Sequence, residues 1–418
     1  MPAPEVTINI SRLMGELDRL AQYSDAPAPA VTRVLYSPTD VAARAYIKEL
    51  FEAAGLRIRE DGVGNIFARW EGSEPALSPV ATGSHIDAIP YSGRYDGTVG
   101  VLGSLEAIRT LAETGFRPRR TIDLIVFTAE EPTRFGIGCL GSRALAGSLS
   151  PAQLMALKDS DGNDFESLCR GAGYTGDLQA VALPEGCYAA FVELHIEQGV
   201  RLEQAGIPIG VVDAIAAPAA LTASIEGDGG HAGAVLMPER ADALLAGAEL
   251  ALAVERAALD TGSPNAVGTV GVFSVYPGAS NSIPSQVTLS IDLRDTDQAI
   301  RDGMIDTIKV AADEVSGCRR VRIRIDTLNA DPPAASHPKI VSAIEEASAH
   351  IGLRSQRLVS RAYHDALFMG ILCPTAMIFV PSKDGYSHRP EEYTAPEEIA
   401  RGVHVLALVL AELSSQPE

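Results

Sequence analysis

Short apolar runs alternate with longer helical patterns along this 418-residue chain, and one stretch past the middle breaks the alternation. Together these limit the folds open to it. Residues 40–55 (DVAARAYIKELFEAAG) set Ala43, Ile47, Leu50, Phe51 and Ala54 on one face at helical spacing and stop at Gly55. A strand is expected at 57–60, a turn at DGVGN (61–65) and a second strand at 66–70. Residues 78–84 and 121–128 read as buried strands, and 98–114 between them as a helix with Val101, Leu105, Ile108 and Leu111 inward. Strand, helix, strand at this spacing predicts an α/β domain built on a mainly parallel sheet. After Gly210 the order changes. A strand at 219–226, a helix near 240–259, strands at 267–275 and 286–293, a helix near 297–315 and a strand at 320–327 give β-α-β-β-α-β, a ferredoxin-like α+β sandwich. The chain then returns to helix (338–351), strand (374–380) and a last helix (395–413). The expected architecture is one α/β domain, residues 1–214 and 327–418, interrupted by an inserted α+β domain at 215–326.

Composition removes several function classes. Hydrophobic residues make up 46% and charged residues 21%, as in an ordinary globular protein. Lys and Arg number 34 against 54 Asp and Glu, a net charge of −20 that repels phosphate backbones and anionic lipid. Neither a nucleic-acid nor a membrane partner is expected. No run approaches the ~18 uninterrupted apolar residues of a membrane span. The start, MPAPEVTINISRLMGELDRL, is amphipathic and lacks the basic-then-apolar order of a secretory signal. Five scattered cysteines without a C-x-x-C pair fit reduced thiols, so a cytoplasmic location is expected.

Candidate chemistry gathers where strands end. His85 closes VATGSH; Asp96 follows in GRYDGTVG, just before a helix; Glu130 and Glu131 end DLIVFTAEE; His195 ends AAFVELH; His388 lies beyond AMIFV in KDGYSH. Ligands in open α/β sheets bind beyond the carboxyl ends of the strands, so these residues are expected in one crevice. Imidazoles with carboxylates suit zinc or another borderline divalent ion. Two ions ~3.5–4 Å apart need a bridging ligand, which a carboxylate can be and an imidazole cannot. Asp96 is the expected bridge. Side chains of the adjacent Glu130 and Glu131 diverge on an extended segment, so one can ligate while the other serves as a base. Asp87 can hold the His85 imidazole from behind.

At these residues the chain resembles the amidase, hydantoinase/carbamoylase family of the larger dinuclear metallopeptidase and aminoacylase superfamily. The resembling segments are GSHIDAIPYSGRYDGTVGV (83–101), FTAEEPTRFGIGCLGSR (127–143), ELHIEQG (193–199), GDGGHAGAVLMPERADA (227–243), GASNSIPSQVTLSIDLRD (278–295) and the stretch from SRAYHDALFMGI to GYSHRPEEYTAPEEIA (360–400). The resemblance implies two divalent ions per subunit, zinc or manganese, with nickel and cobalt also accepted. One would be held by His85, Asp96 and His195, the other by Asp96, Glu131 and His388, with Glu130 as base. It further implies a homodimer through the inserted domain, which would also act as a lid. His231 would stabilise the tetrahedral intermediate, Asn281 and Arg294 would hold a substrate carboxylate, and Gln198 would touch substrate. Read from the residues alone, His231 is a solvated loop residue, and Arg294 is equally a surface ion pair with Asp292 or Asp295.

One departure bears on the substrate. Family members acting on carbamoyl amino acids or allantoate carry glycine-alanine-glycine before a His-Asp pair. This chain has Arg361-Ala362-Tyr363 before His364-Asp365. The Tyr363 ring is expected to fill space near the substrate α-carbon and offer a hydroxyl, the alternative being that it only packs, and His364 is expected beside it at the substrate. The resemblance thus implies hydrolysis of the terminal ureido amide of a small carboxylate. Ureidoglycolate is the expected substrate; N-carbamoyl-L-amino acids and allantoate are the nearest alternatives, with an aminoacylase, a peptidase or a non-catalytic binder further off.

Overall fold

Four strands in which every residue is buried lie at the centre of the larger of two compact units: Val80–His85, Ile122–Phe127, Ala190–Ile196 and Thr375–Val380. The computed structural model describes residues 5–416, leaving aside the side chain of Ala217. The strands lie side by side in the order Ile122–Phe127, Val80–His85, Ala190–Ile196, Thr375–Val380, all parallel. Parallel strands covered on both faces read as mostly apolar runs, which is why they stand out in the sequence. Antiparallel strands flank them. Ile66–Trp70 and then Arg57–Glu60 continue one side, and Ile209–Ile215 the other. Parallel ordering brings the carboxyl ends of four strands to one edge.

Helices cover the sheet for reasons visible locally. Ser37 caps the helix Pro38–Ala53 by accepting the Asp40 N–H, with Pro38 in its first turn, so it starts two residues earlier than its apolar face suggests. Gly55, at φ +74°, follows its end. The helix Thr98–Glu113 is buried along most of its length. It approaches the sheet so closely that a Cβ on Gly100 would stand 2.4 Å from the Leu194 carbonyl. Among the described residues no helix is long and apolar enough to cross a membrane.

The second unit, Ala214–Ala334, has its own core. Its strands are ordered Val267–Tyr276, Gln286–Asp295, Ala217–Glu226, Arg322–Ala330, all antiparallel, and the helices Ala243–Leu259 and Gln298–Arg319 pack on the sheet. This is the ferredoxin-like order. Alternation along Gln286–Asp295 turns Val287, Leu289, Ile291 and Leu293 into the core. The unit ends at Ala334, not at 326. Its last strand runs on past Thr327 and stays in the ladder through a bulge, pairing Asn329 with Ala220 and Ala330 with Ala219.

Gly83, inside a central strand at φ +146°, gives a direct test of this packing, because a Cβ there would sit 1.9 Å from the Ile125 carbonyl oxygen. Gly83→Ala is expected to cost about 3 kcal/mol or more, since the clash is with backbone that cannot step aside. A urea-unfolding midpoint equal to wild type would contradict this packing.

Candidate metal centre and active site

Asp96 follows a turn that only glycine can complete. Gly97 has φ +66°, and a Cβ on it would fall 2.4 Å from His85 Nε2. The turn therefore presses the Asp96 carboxylate against imidazoles from two strand ends. Asp96 Oδ1 lies 3.4 Å from His85 Nε2 and 3.2 Å from His195 Nε2. Asp96 Oδ2 lies 3.5 Å from His388 Nε2, which is itself 3.1 Å from Glu131 Oε1. Two donor sets result, His85–Asp96–His195 and Asp96–Glu131–His388, the ligand atoms of each lying within 4.8 Å of one another. They share only Asp96.

The residues present fit a divalent pair. His85 Nε2 is buried and has no hydrogen-bond partner among the described residues, an expensive arrangement unless a cation takes the lone pair. Neutral imidazole with carboxylate oxygen is the donor chemistry of zinc and its neighbours. The two sets differ in access. His85 and His195 are each 1% exposed and Asp96 is 7% exposed, whereas the His388 side chain is 46% exposed on a loop residue at φ +58°.

Asp87 does more than steady an imidazole. It lies 3.5 Å from His85 Nδ1, and its two oxygens accept the backbone N–H groups of Glu130 and Glu131 at 3.2 and 3.0 Å. That grip fixes the segment after Ala129, whose φ is +51°, and lets the neighbouring carboxylates diverge. Glu131 faces His388, while Glu130 Oε2 stands 3.8 Å from His85 Nε2. Burial pushes the Glu130 carboxyl well above the ordinary carboxylate range. Contacts with Asp96 and Glu131 raise the His388 imidazole to about 11.

Other expected residues fall in several places. Gln198 reaches the centre, but its amide donates to Asp96 Oδ2 at 2.6 Å. His364 is 1% exposed, and its Nε2 meets Ser360 Oγ at 2.8 Å. It packs edge-on against His195, with ring centroids 4.6 Å apart. Tyr363 is half-buried, with its hydroxyl 3.5 Å from an Arg143 nitrogen. His231, Asn281 and Arg294 belong to the inserted unit. The Asn281 carbonyl accepts the Ala232 N–H, which brings the loops of Asn281 and His231 together. His231 Nδ1 accepts the Gly233 N–H at 3.1 Å, so Nε2 carries the proton and is a donor. Arg294 forms a two-point ion pair with Asp292, at 2.7 and 3.0 Å.

Buried carboxylates unforeseen from the sequence complete the surroundings. Glu193 accepts Ser84 Oγ and the Ala366 N–H, and Asp365 accepts Ser142 Oγ. Glu193 lies two residues before His195 on one strand, a spacing that puts both on one face and could have marked it. Although Glu193, His195 and His364 also cluster as possible ligands, hydrogen bonds engage both Glu193 oxygens. Glu392 accepts the N–H groups of Tyr95 and Asp96, and burial lifts its carboxyl to about 7.

The model of peptidase family M20/M25/M40 matches residues 81–412. The chain belongs to this family. A crystal structure of an amidase of the hydantoinase/carbamoylase family from Burkholderia multivorans superposes with a TM-score of 0.89 at 33% identity, covering 99% of this chain and 100% of the other, and places it on that branch. The crystal structure of AtUAH in complex with glyoxylate also gives 0.89, at 52% identity and with 98% of each chain covered. A ureidoglycolate hydrolase from Arabidopsis thaliana is 53% identical across 99% of this chain and 88% of its own length. An N-carbamoyl-L-amino-acid amidohydrolase from Paenarthrobacter aurescens is 37% identical across 96% and 97%.

The unequal access of the two donor sets predicts unequal metal retention. Dialysis of metal-loaded protein against a chelator should remove one ion per chain well before the other. His388→Ala should keep one ion per chain by elemental analysis, and Asp96→Ala fewer. Equal loss of both ions in wild type would show that the exposed histidine is not a ligand.

Proposed function

We propose that this protein is a metal-dependent amidohydrolase that cleaves the terminal ureido amide of ureidoglycolate, releasing ammonia and a carbamate that loses carbon dioxide to leave hydroxyglycine, which gives up a second ammonia to become glyoxylate. The observation that carries this reading is the pairing of a buried carboxyl at Glu130, outside both donor sets, with two donor sets joined through Asp96. When bound, two divalent ions at these sets supply Lewis-acid activation of water and of the substrate carbonyl. Zinc and manganese both suit the donors.

The chain's own groups do the rest. Glu130 takes a proton from water and, as the carbon–nitrogen bond breaks, returns it to the leaving nitrogen. A carboxyl raised by burial is better matched to that exchange near neutral pH than an ordinary one. Asp87, gripping the amides of residues 130 and 131, keeps the base aimed while its neighbour ligates. His231, a donor at Nε2, stabilises the developing oxyanion. Arg294 offers a guanidinium fork to the substrate carboxylate, with Asn281 beside His231 as a second contact. Gln198 orients the ureido end, and Tyr363 fills the space that a carbamoyl amino acid would need for its side chain.

The similarity to ureidoglycolate hydrolase, higher than that to the carbamoylase, supports this substrate, as does the glyoxylate complex of AtUAH. N-carbamoyl-L-amino acids remain the second reading, favoured by the 37% identical amidohydrolase. We further propose a cytoplasmic homodimer joined through the inserted unit. Its edge strand Val267–Tyr276 exposes Val272, Phe273 and Tyr276, which supports an interface there.

Ammonia release with added manganese should be faster on ureidoglycolate than on N-carbamoyl-L-amino acids or allantoate; the reverse order would overturn the substrate assignment. Glu130→Gln should keep its metal and lose ~10²–10⁴-fold in kcat. More than about a tenth of the activity remaining would remove it as the base. Arg294→Ala should lower kcat/KM mainly through KM, and an unchanged kcat/KM would place the carboxylate elsewhere.

A further inference from the structure

The loop after Val380 carries His388, and alongside bonds from Gln198 to Ser382 and Ser387 it is tied to the turn of Asp96 through Glu392. That residue is 4% exposed and has no cationic partner among the described residues. Its Oε1 accepts the N–H groups of Tyr95 at 2.7 Å and Asp96 at 3.1 Å, across almost three hundred residues of sequence. Its side chain fills the space a Cβ on Gly93 would take, 2.3 Å from that point, so the 93–96 turn is moulded around it. Its other oxygen lies 3.2 Å from Ser387 Oγ, which is also 2.7 Å from Asp96 Oδ2. Tyr393 packs edge-on against Tyr95, and the Lys383 N–H donates to the Tyr393 carbonyl, closing the loop on itself.

A buried carboxylate without a cation is costly, and two backbone N–H groups could be satisfied more cheaply by a neutral acceptor. What this arrangement achieves is geometric. One side chain fixes the backbone of the shared ligand Asp96 and, through the hydroxyl next to His388, the loop that brings the exposed histidine. His85 and His195 stand on strand ends and need no such tether. We infer that Glu392 is a positioning residue, which with Ser387 clamps the His388 loop to Asp96 and thereby forms the Asp96–Glu131–His388 ion site.

This inference rests on the two-ion reading above, and the test separates them. Purified protein stripped of metal is titrated with manganese alone by calorimetry, with bound metal counted by elemental analysis. Wild type should bind two ions per chain; one ion only would sink the two-ion reading itself and the clamp with it. Given two, Glu392→Ala should weaken the second ion by about 10–100-fold, the usual cost of losing a group that orients a ligand, and leave the first within about threefold. Glu392→Gln, which keeps the acceptor for both N–H groups, should recover most of the loss. Wild-type affinity at both sites in Glu392→Ala, equal weakening of both ions, or no recovery with glutamine would each overturn the inference. Should the alanine variant fail to fold, Ser387→Ala removes only the hydroxyl: a weakened second ion supports the clamp, and an unchanged one overturns it.

Discussion

One carboxylate facing three imidazoles organises the larger unit. Asp96 turns one oxygen to His85 and His195 and the other to His388. No short stretch of chain can present donors this way. The histidines need separate strands ending on the same edge, and the carboxylate needs a turn tight enough to enter between them. The parallel sheet supplies the first and the left-handed Gly97 the second. Stability and function pull in opposite directions here. An orphan His85 Nε2 and several buried carboxyls are each unfavourable, and the bulk of the fold offsets them.

The legible parts of the sequence were those where burial imposes a simple pattern. The fully buried strands Val80–His85, Ile122–Phe127 and Thr375–Val380 are short, mostly apolar runs, so their ends, and the residues at them, could be placed. The strand and helix order of the insert was readable for the same reason, since Val287, Leu289, Ile291 and Leu293 alternate cleanly. The short helices Leu140–Leu145, Pro151–Ala156 and Phe165–Gly171 run six or seven residues each, too few turns to establish a period.

Residues that act through backbone groups were the hardest to see. Glu392 sits in RPEEY, which has the look of a solvated acidic loop, yet it is buried and bonded to amides in a distant turn. Nothing in local spacing reports a contact with a backbone N–H so far along the chain. His364 also acts through neighbours that spacing does not report, here Ser360 and the His195 ring.

The Glu130–Glu131 pair shows how adjacent residues of one chemistry come to do different work. Both carboxyls are buried, and burial raises both. Glu131 recovers part of that cost through its hydrogen bond with His388, which draws it back toward the ionised form a ligand requires. Glu130 has no such bond; its closest polar side-chain contacts are the Cys139 thiol at 3.6 Å and His85 at 3.8 Å. It therefore stays the easier of the two to protonate. Environments that push two carboxyl groups apart in this way mark which one handles protons and which one holds charge. The division follows from Asp87, because accepting both consecutive amides leaves the two side chains no common direction.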